Sequence, residues 1–224
     1  MPLYQSIAFN SNTQILIWEI TESYDQLLQE VSLNEKSALR LQGMKSEMHQ
    51  RGFLSVRKLL QQAGLTDFDL YYDEMGKPHL HHQKHISITH SHQFSAIIIS
   101  NVAVGIDIEL QRPKISTIAN KFCDSEFQFL DPEKNEDYIR KLTVIWGAKE
   151  AIFKIQNEKG ISFKNHIAVH SFELKSKQNS CKFHFEDSKK DFLIYFEDIQ
   201  SSDRQQKNQN FTLVYAFEIQ PSFK

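Results

Sequence analysis

The spacing of apolar and polar positions changes several times along the chain, and each change marks an element. Ser6 to Asn10 and Thr13 to Ile20 are short apolar runs on either side of Asn10-Ser11-Asn12, which predicts a hairpin. Ser23 is placed to cap a short helix over Tyr24–Val31. Asn34 is placed to cap a longer one that reaches about Gln62 and stops at Gly64. On that helix Leu41, Met44, Met48, Val56 and Leu59 share one face. Arg40, Lys45, Arg51, Arg57 and Lys58 lie on the other, as a solvated basic face would. Gly52 weakens it by about 1 kcal/mol against alanine. Phe68–Tyr72, Ile86–His90, Phe94–Ser100 and Val104–Leu110 read as strands, and Asp73 to Pro78 as a turn with glycine and proline punctuation. Ile115–Phe122 and Asp124–Leu130 read as short helices, and Asp137–Asn157 as a second long one closed by Gly160. Ile167–Leu174, Cys181–Phe185, Phe192–Glu197 and Phe211–Ile219 read as strands, and Ser201–Asn210 as a polar loop.

Strands, a long helix and strands again therefore occur twice, with a join near residue 101. Hairpin-connected strands with few crossovers favour α+β over a doubly wound sheet. No glycine-rich phosphate loop of the dinucleotide or Walker type is present. The 224 residues leave room for one large domain or two small ones, and 40% hydrophobic content supports a real core. A formal charge of −2 argues against broad binding to nucleic acid or membrane surfaces, although local basic clusters can still take a small anion. Two cysteines, Cys123 and Cys181, are too few for a disulfide framework and point to a reducing compartment. No apolar run is long enough to span a bilayer, and the N-terminus lacks the features of a signal peptide, so a cytoplasmic protein is expected.

Three stretches carry candidate chemistry. In Val104 to Leu110, Ile106 and Ile108 would face one side of a strand, Asp107 and Glu109 the other. Two like charges there disfavour each other's ionisation, which a hard cation relieves; an edge strand with a solvated face is the plainer reading. In the second long helix Lys149 interrupts the apolar stripe of Leu142, Ile145, Ile152 and Ile155, so it must snorkel or meet an anion. Glu150 and Lys154 share a face four residues apart. They form either an ordinary exposed pair, worth ~0.3–0.5 kcal/mol, or a metal carboxylate beside a phosphate ligand. Gly147 suggests a close approach by backbone or ligand. The stretch His79 to His92 holds six of the ten histidines, but a dedicated zinc or nickel site is disfavoured because four of them lie in what reads as a loop. His90 differs, since with Ser87, Thr89 and Ser91 it ends a strand in a way that suits an anion.

These stretches fall in an order that resembles a known family. The series is Arg51 to Arg57, then Gly76-Lys77-Pro78, Ile86 to Ser91 and Val104 to Glu109. Phe122 with Glu126 and Trp146 to Ala151 with Lys154 complete it. It is similar to the 4′-phosphopantetheinyl transferases, and to their larger, surfactin-synthetase-activating type. The resemblance runs from about residue 45 to 165. It implies two similar α+β halves related by a pseudo-two-fold, 1–101 and 102–224, each a small, mostly antiparallel sheet on a long helix. The active site would lie in the cleft between them.

It also implies transfer of phosphopantetheine from coenzyme A to a serine of an apo acyl or peptidyl carrier protein. Asp107, Glu109 and Glu150 would hold Mg²⁺, with Mn²⁺ as a substitute. Glu150, or a water it orients, would take the serine proton, with Lys154 and Asp107 completing the catalytic set. Arg51, Arg57, Lys77, Thr89, His90, Lys149 and Lys154 would meet the coenzyme A phosphates. A basic or apolar patch would dock the acidic carrier, and a monomer is implied. Two other readings use the same residues: a Mg²⁺-dependent phosphohydrolase of coenzyme A or a nucleotide, and a non-catalytic metal- or carrier-binding module.

Overall fold

The periodicities resolve into an α+β protein with antiparallel sheets. The computed structural model describes residues 3–81, 83–201 and 209–219. The chain divides into two compact units, Met1–Val102 and Ala103–Lys224.

In the first unit, β1 (Leu3–Asn10) and β2 (Thr13–Glu19) form the expected hairpin. Helix α1 (Tyr24–Gln29) opens with a capping box in which Ser23 and Gln26 satisfy each other's backbone N–H groups. The long helix expected from Asn34 to Gln62 is two helices, α2 (Glu35–Gln42) and α3 (Glu47–Gln62). Gly43 caps the first and Ser46, with an extended backbone, starts the second. The break turns the apolar stripe, so that Leu41 and Val56 are buried while Met48 is 47% exposed. After it come β3 (Leu70–Tyr72), β4 (Pro78–Leu80), β5 (His85–Ser91) and β6 (Phe94–Ser100). The main sheet has the order β1-β2-β6-β5, and β3 and β4 form a small hairpin of their own. Leu54, Val56, Leu59 and Leu60 of α3 pack on Leu16, Trp18, Ile86, Ile97 and Ile99 of the main sheet.

The second unit begins with β7 (Val104–Leu110). The two short helices expected next are 3₁₀ turns, Pro113–Lys121 and Ser125–Gln128. The hydroxyls of Ser116 and Thr117 donate to the carbonyls three residues back, a local bond that competes with the α-helical ladder. Helix α4 (Asn135–Gln156) ends on Asn157 in the left-handed conformation, ahead of the expected stop at Gly160. Then follow α5 (Phe163–His166), β8 (Ile167–Val169), β9 (Gln178–Phe185), β10 (Ser188–Gln200) and β11 (Asn210–Glu218). The strand expected over Ile167–Leu174 is thus only three residues long. Of the expected Ser201–Asn210 loop, 202–208 lie outside the described residues, as does His82 of the histidine-rich stretch.

The second sheet runs β7-β11-β10-β9-β8, so the first strand of this unit pairs with its last. Leu142, Ile145, Ile152 and Ile155 of α4 are buried against Phe183, Phe192, Ile194 and Val214. Each such side chain contributes about 1.5–3 kcal/mol, which outweighs the roughly 1 kcal/mol helix cost of Gly147. The two units share a plan of long helix on antiparallel sheet. They differ in strand number and order.

Candidate active site

Residues two apart on β7 and four apart on α4 bring one constellation together. Gly105, Asp107 and Glu109 occupy the face of β7 that meets α4, and Trp146, Glu150 and Lys154 follow one face of the helix at i, i+4 and i+8. Glycine makes this contact possible. A Cβ on Gly105 would lie 1.9 Å from the carbonyl oxygen of Ala151, and one on Gly147 would lie 2.7 Å from Val214 Cγ2 and 3.7 Å from Asp107 Oδ2. The close approach suspected at Gly147 is therefore that of helix to strand.

Asp107 is 5% exposed. Lys154 Nζ donates to Asp107 Oδ1 at 2.9 Å and to the Ile106 carbonyl at 2.8 Å. The Trp146 indole N–H donates to Glu109 Oε1 at 3.3 Å, and its ring packs on Phe122 and Phe163. Burial, then the charge of Asp107, push the Glu109 carboxyl up to about 7, with Glu150 adding to the push. The same two causes, burial and Asp107, raise Glu150. The three expected carboxylates thus act on one another, and the structure adds Trp146 to them. Its place, four residues before Glu150, was the signal in the sequence.

Among the described residues, no group of three His, Cys, Asp or Glu side chains is arranged to hold a metal ion. Here the ammonium of Lys154 balances Asp107. The donor set itself suits a hard divalent cation: oxygen ligands only, two of them held in a protonation-prone state by their neighbours. Beside it a cleft of 150 Å³ is lined by Glu109, Trp146, Arg112, Lys114, Ile115 and Ile118.

Lys149 lies elsewhere. It is fully buried, and its Nζ pairs with Glu126 Oε1 at 2.7 Å and donates to the Phe122 and Phe163 carbonyls. Glu126 also accepts the backbone N–H groups of Asp124 and Val169. Burial alone would raise its pKa, but Lys149 and these donors hold it below the ordinary carboxylate value.

The remaining expected phosphate ligands belong to the first unit. Gly52 lets the His90 ring lie against α3, since a Cβ there would meet His90 Cδ2 at 2.8 Å. His49 stacks parallel to His90, with centroids 6.0 Å apart. Arg51 donates from Nη2 to the Ile20 carbonyl. Thr89 is buried and, next to His90 in β5, points to the opposite face of its sheet. Lys77 is half-buried in the turn between β3 and β4. Arg57 is on no solvated face: it is 2% exposed, bonded to Asp67 Oδ1 at 2.8 Å and to Ser37 Oγ, with its guanidinium over the Phe53 ring. Arg57 and Lys149 are therefore closed to a phosphate in this structure, each committed to a buried carboxylate.

Residues 103–216, which include Asp107, Glu109, Glu150 and Lys154, match the 4'-phosphopantetheinyl transferase superfamily. The 4'-phosphopantetheinyl transferase gsp of Aneurinibacillus migulanus is 27% identical over 148 residues, 64% of this chain and 60% of that protein. The 4'-phosphopantetheinyl transferase of Bacillus subtilis is 27% identical over 166 residues, 69% of this chain and 70% of that protein.

Proposed function

Because the chain belongs to the 4'-phosphopantetheinyl transferase superfamily, we propose that it transfers the 4′-phosphopantetheine group of coenzyme A to a serine of an apo acyl or peptidyl carrier protein. The other product is adenosine 3′,5′-bisphosphate. The observation that carries this reading is the meeting of Asp107, Glu109, Glu150 and Lys154 between β7 and α4, inside the segment that matches the superfamily. Magnesium, or manganese in its place, would be held by Asp107, Glu109 and Glu150, whose mutual repulsion it would relieve. When bound, the ion supplies neutralisation and orientation of the pyrophosphate.

The chain's own groups have definable tasks. The serine oxygen attacks the phosphorus that carries pantetheine, and the bond from that phosphorus to the bridging oxygen breaks. The bridging oxygen leaves with the nucleotide. Glu150, or a water it orients, takes the serine proton. Lys154, already 2.9 Å from Asp107, sets a positive charge against the phosphate oxygens. Arg51, Lys77, Thr89 and His90 are assigned to the coenzyme A phosphates. Arg57 and Lys149 hold α3 and α4 in place.

The carrier is assigned to the cleft beside Glu109, where exposed Arg112 and Lys114 and half-buried Ile115 and Ile118 offer basic and apolar surface to an acidic partner. Among the described residues no helix is long and apolar enough to cross a membrane. We place the reaction in the cytoplasm and in a monomer; both cysteines are free and buried, which accords with a reducing compartment. The test is product analysis with coenzyme A, Mg²⁺ and an apo carrier. Adenosine 3′,5′-bisphosphate matched by phosphopantetheine on the carrier serine is expected. Coenzyme A hydrolysed with the carrier unchanged would overturn the reading.

A further inference from the structure

The turn that carries Lys77 is built around one carboxylate. Asp73 Oδ1 accepts the backbone N–H groups of Met75 and Lys77, each at 2.9 Å. The Asp73 N–H donates to the Lys77 carbonyl at 3.0 Å, and the Gly76 N–H donates to the Asp73 carbonyl at 3.0 Å. Gly76 takes the left-handed backbone, φ +84°, that this closure needs. Asp73 Oδ2 lies 3.0 Å from His79 Nε2 on β4. The His79 ring stacks on Tyr71 of β3, which also stacks on His81. The Asp73 side chain thus ties the loop to β4, and His79 in turn packs on β3. The His79 bond is the main cause that holds the Asp73 carboxyl below its ordinary value, so the carboxylate form belongs to the folded turn.

We propose that Asp73 is a positioning residue for coenzyme A, fixing the turn from Asp73 to Lys77 so that the Lys77 ammonium is presented to a phosphate of the nucleotide. The proposal rests on the reading of Lys77 as a coenzyme A ligand. Asp73 touches no substrate; it acts through Lys77. A lysine on a loose turn loses more freedom on binding than one on a fixed turn, and that loss appears as weaker affinity. His79 and Tyr71 give the histidine-rich stretch a structural part in the same device.

The test is calorimetric titration of the full chain with coenzyme A, together with steady-state transfer kinetics. Asp73→Ala should weaken coenzyme A binding about tenfold, the size of one charge-assisted contact loosened. It should raise KM for coenzyme A alike, with kcat and KM for the carrier within about twofold of wild type. Asp73→Asn keeps the Oδ1 acceptor for Met75 and Lys77 and should recover most of the affinity. Gly76→Ala strains the same turn while leaving the side chains of Asp73 and Lys77 in place and should weaken binding in the same direction, which covers the case of a poorly folding Asp73→Ala. Asp73→Ala combined with Lys77→Ala should bind no worse than Lys77→Ala alone. Unchanged affinity in both Asp73→Ala and Gly76→Ala, or additive losses in the double variant, would overturn the proposal. A wild-type chain that binds coenzyme A without transferring it would overturn the functional reading and leave the positioning role standing on the titrations. A wild-type chain that does not bind coenzyme A would overturn both.

Discussion

Asp107 serves several neighbours at once. It accepts from Lys154, and its charge, after burial, raises Glu109 and Glu150. Asp107→Ala should therefore cost transfer at least about 10²-fold, since it removes the proposed cation ligand and frees the lysine. The fold should survive, because the same change relieves repulsion; steady-state kinetics beside thermal unfolding check both parts. The Glu126–Lys149 pair has a structural task and a separate signature. The Glu126 carboxyl titrates below its ordinary value in the folded chain. Its contribution is present above the unfolded pKa and is lost as pH falls through the folded one. Lys149→Met leaves Glu126 buried without its cation and should cost about 3–5 kcal/mol. Burial then dominates and raises the carboxyl, so the pH slope from this group reverses and the variant gains stability on acidification. Urea unfolding of both proteins at about pH 7.5, 5.5, 4.5 and 3.5 would show the stability gap between them closing as pH falls. Parallel trends would remove the pair from the account.

At the scale of elements, three glycines set how closely the helices approach their sheets. Gly105 faces backbone, which cannot step aside, so Gly105→Ala should push α4 from β7 and cost about 1–3 kcal/mol or more. Activity should fall further than stability accounts for, because Glu150 and Lys154 move with the helix. Gly52 presents the opposite case. Its obstacle is the ring of His90, which is exposed and can swing out. Gly52→Ala should leave stability unchanged or raise it by up to about 1 kcal/mol through helix propensity. The same change should raise KM for coenzyme A, since His90, the proposed phosphate ligand, is the residue displaced. Chemical denaturation and kinetics on the two variants separate a glycine that holds the fold from one that holds a ligand.

Over the whole molecule, elements with a sustained period were legible in the sequence. The apolar β6, the stripe of α4 and the alternation in β7 all stand where their patterns put them. Short or interrupted elements were not. The break between α2 and α3 hangs on Gly43 and Ser46 within a run that otherwise reads as helix, and β4 is three residues long. That Asp107 and Glu109 share a face of their strand, and Glu150 and Lys154 a face of their helix, was readable because strand and helix spacing place them so. The buried pairs Arg57–Asp67 and Lys149–Glu126 were not, because no local period encodes which distant carboxylate a basic side chain will meet. That is why two basic residues expected at phosphates face the interior. The cluster of Asp107, Glu109, Glu150 and Lys154 carries the functional claim, and the intact mass of a carrier protein tests it most directly. After incubation of an apo carrier with coenzyme A, Mg²⁺ and this protein, the account predicts a gain equal to one phosphopantetheine group, lost when the cation is chelated or when Asp107→Ala replaces the wild type. An unchanged carrier mass, or a gain that persists in Asp107→Ala, would contradict it.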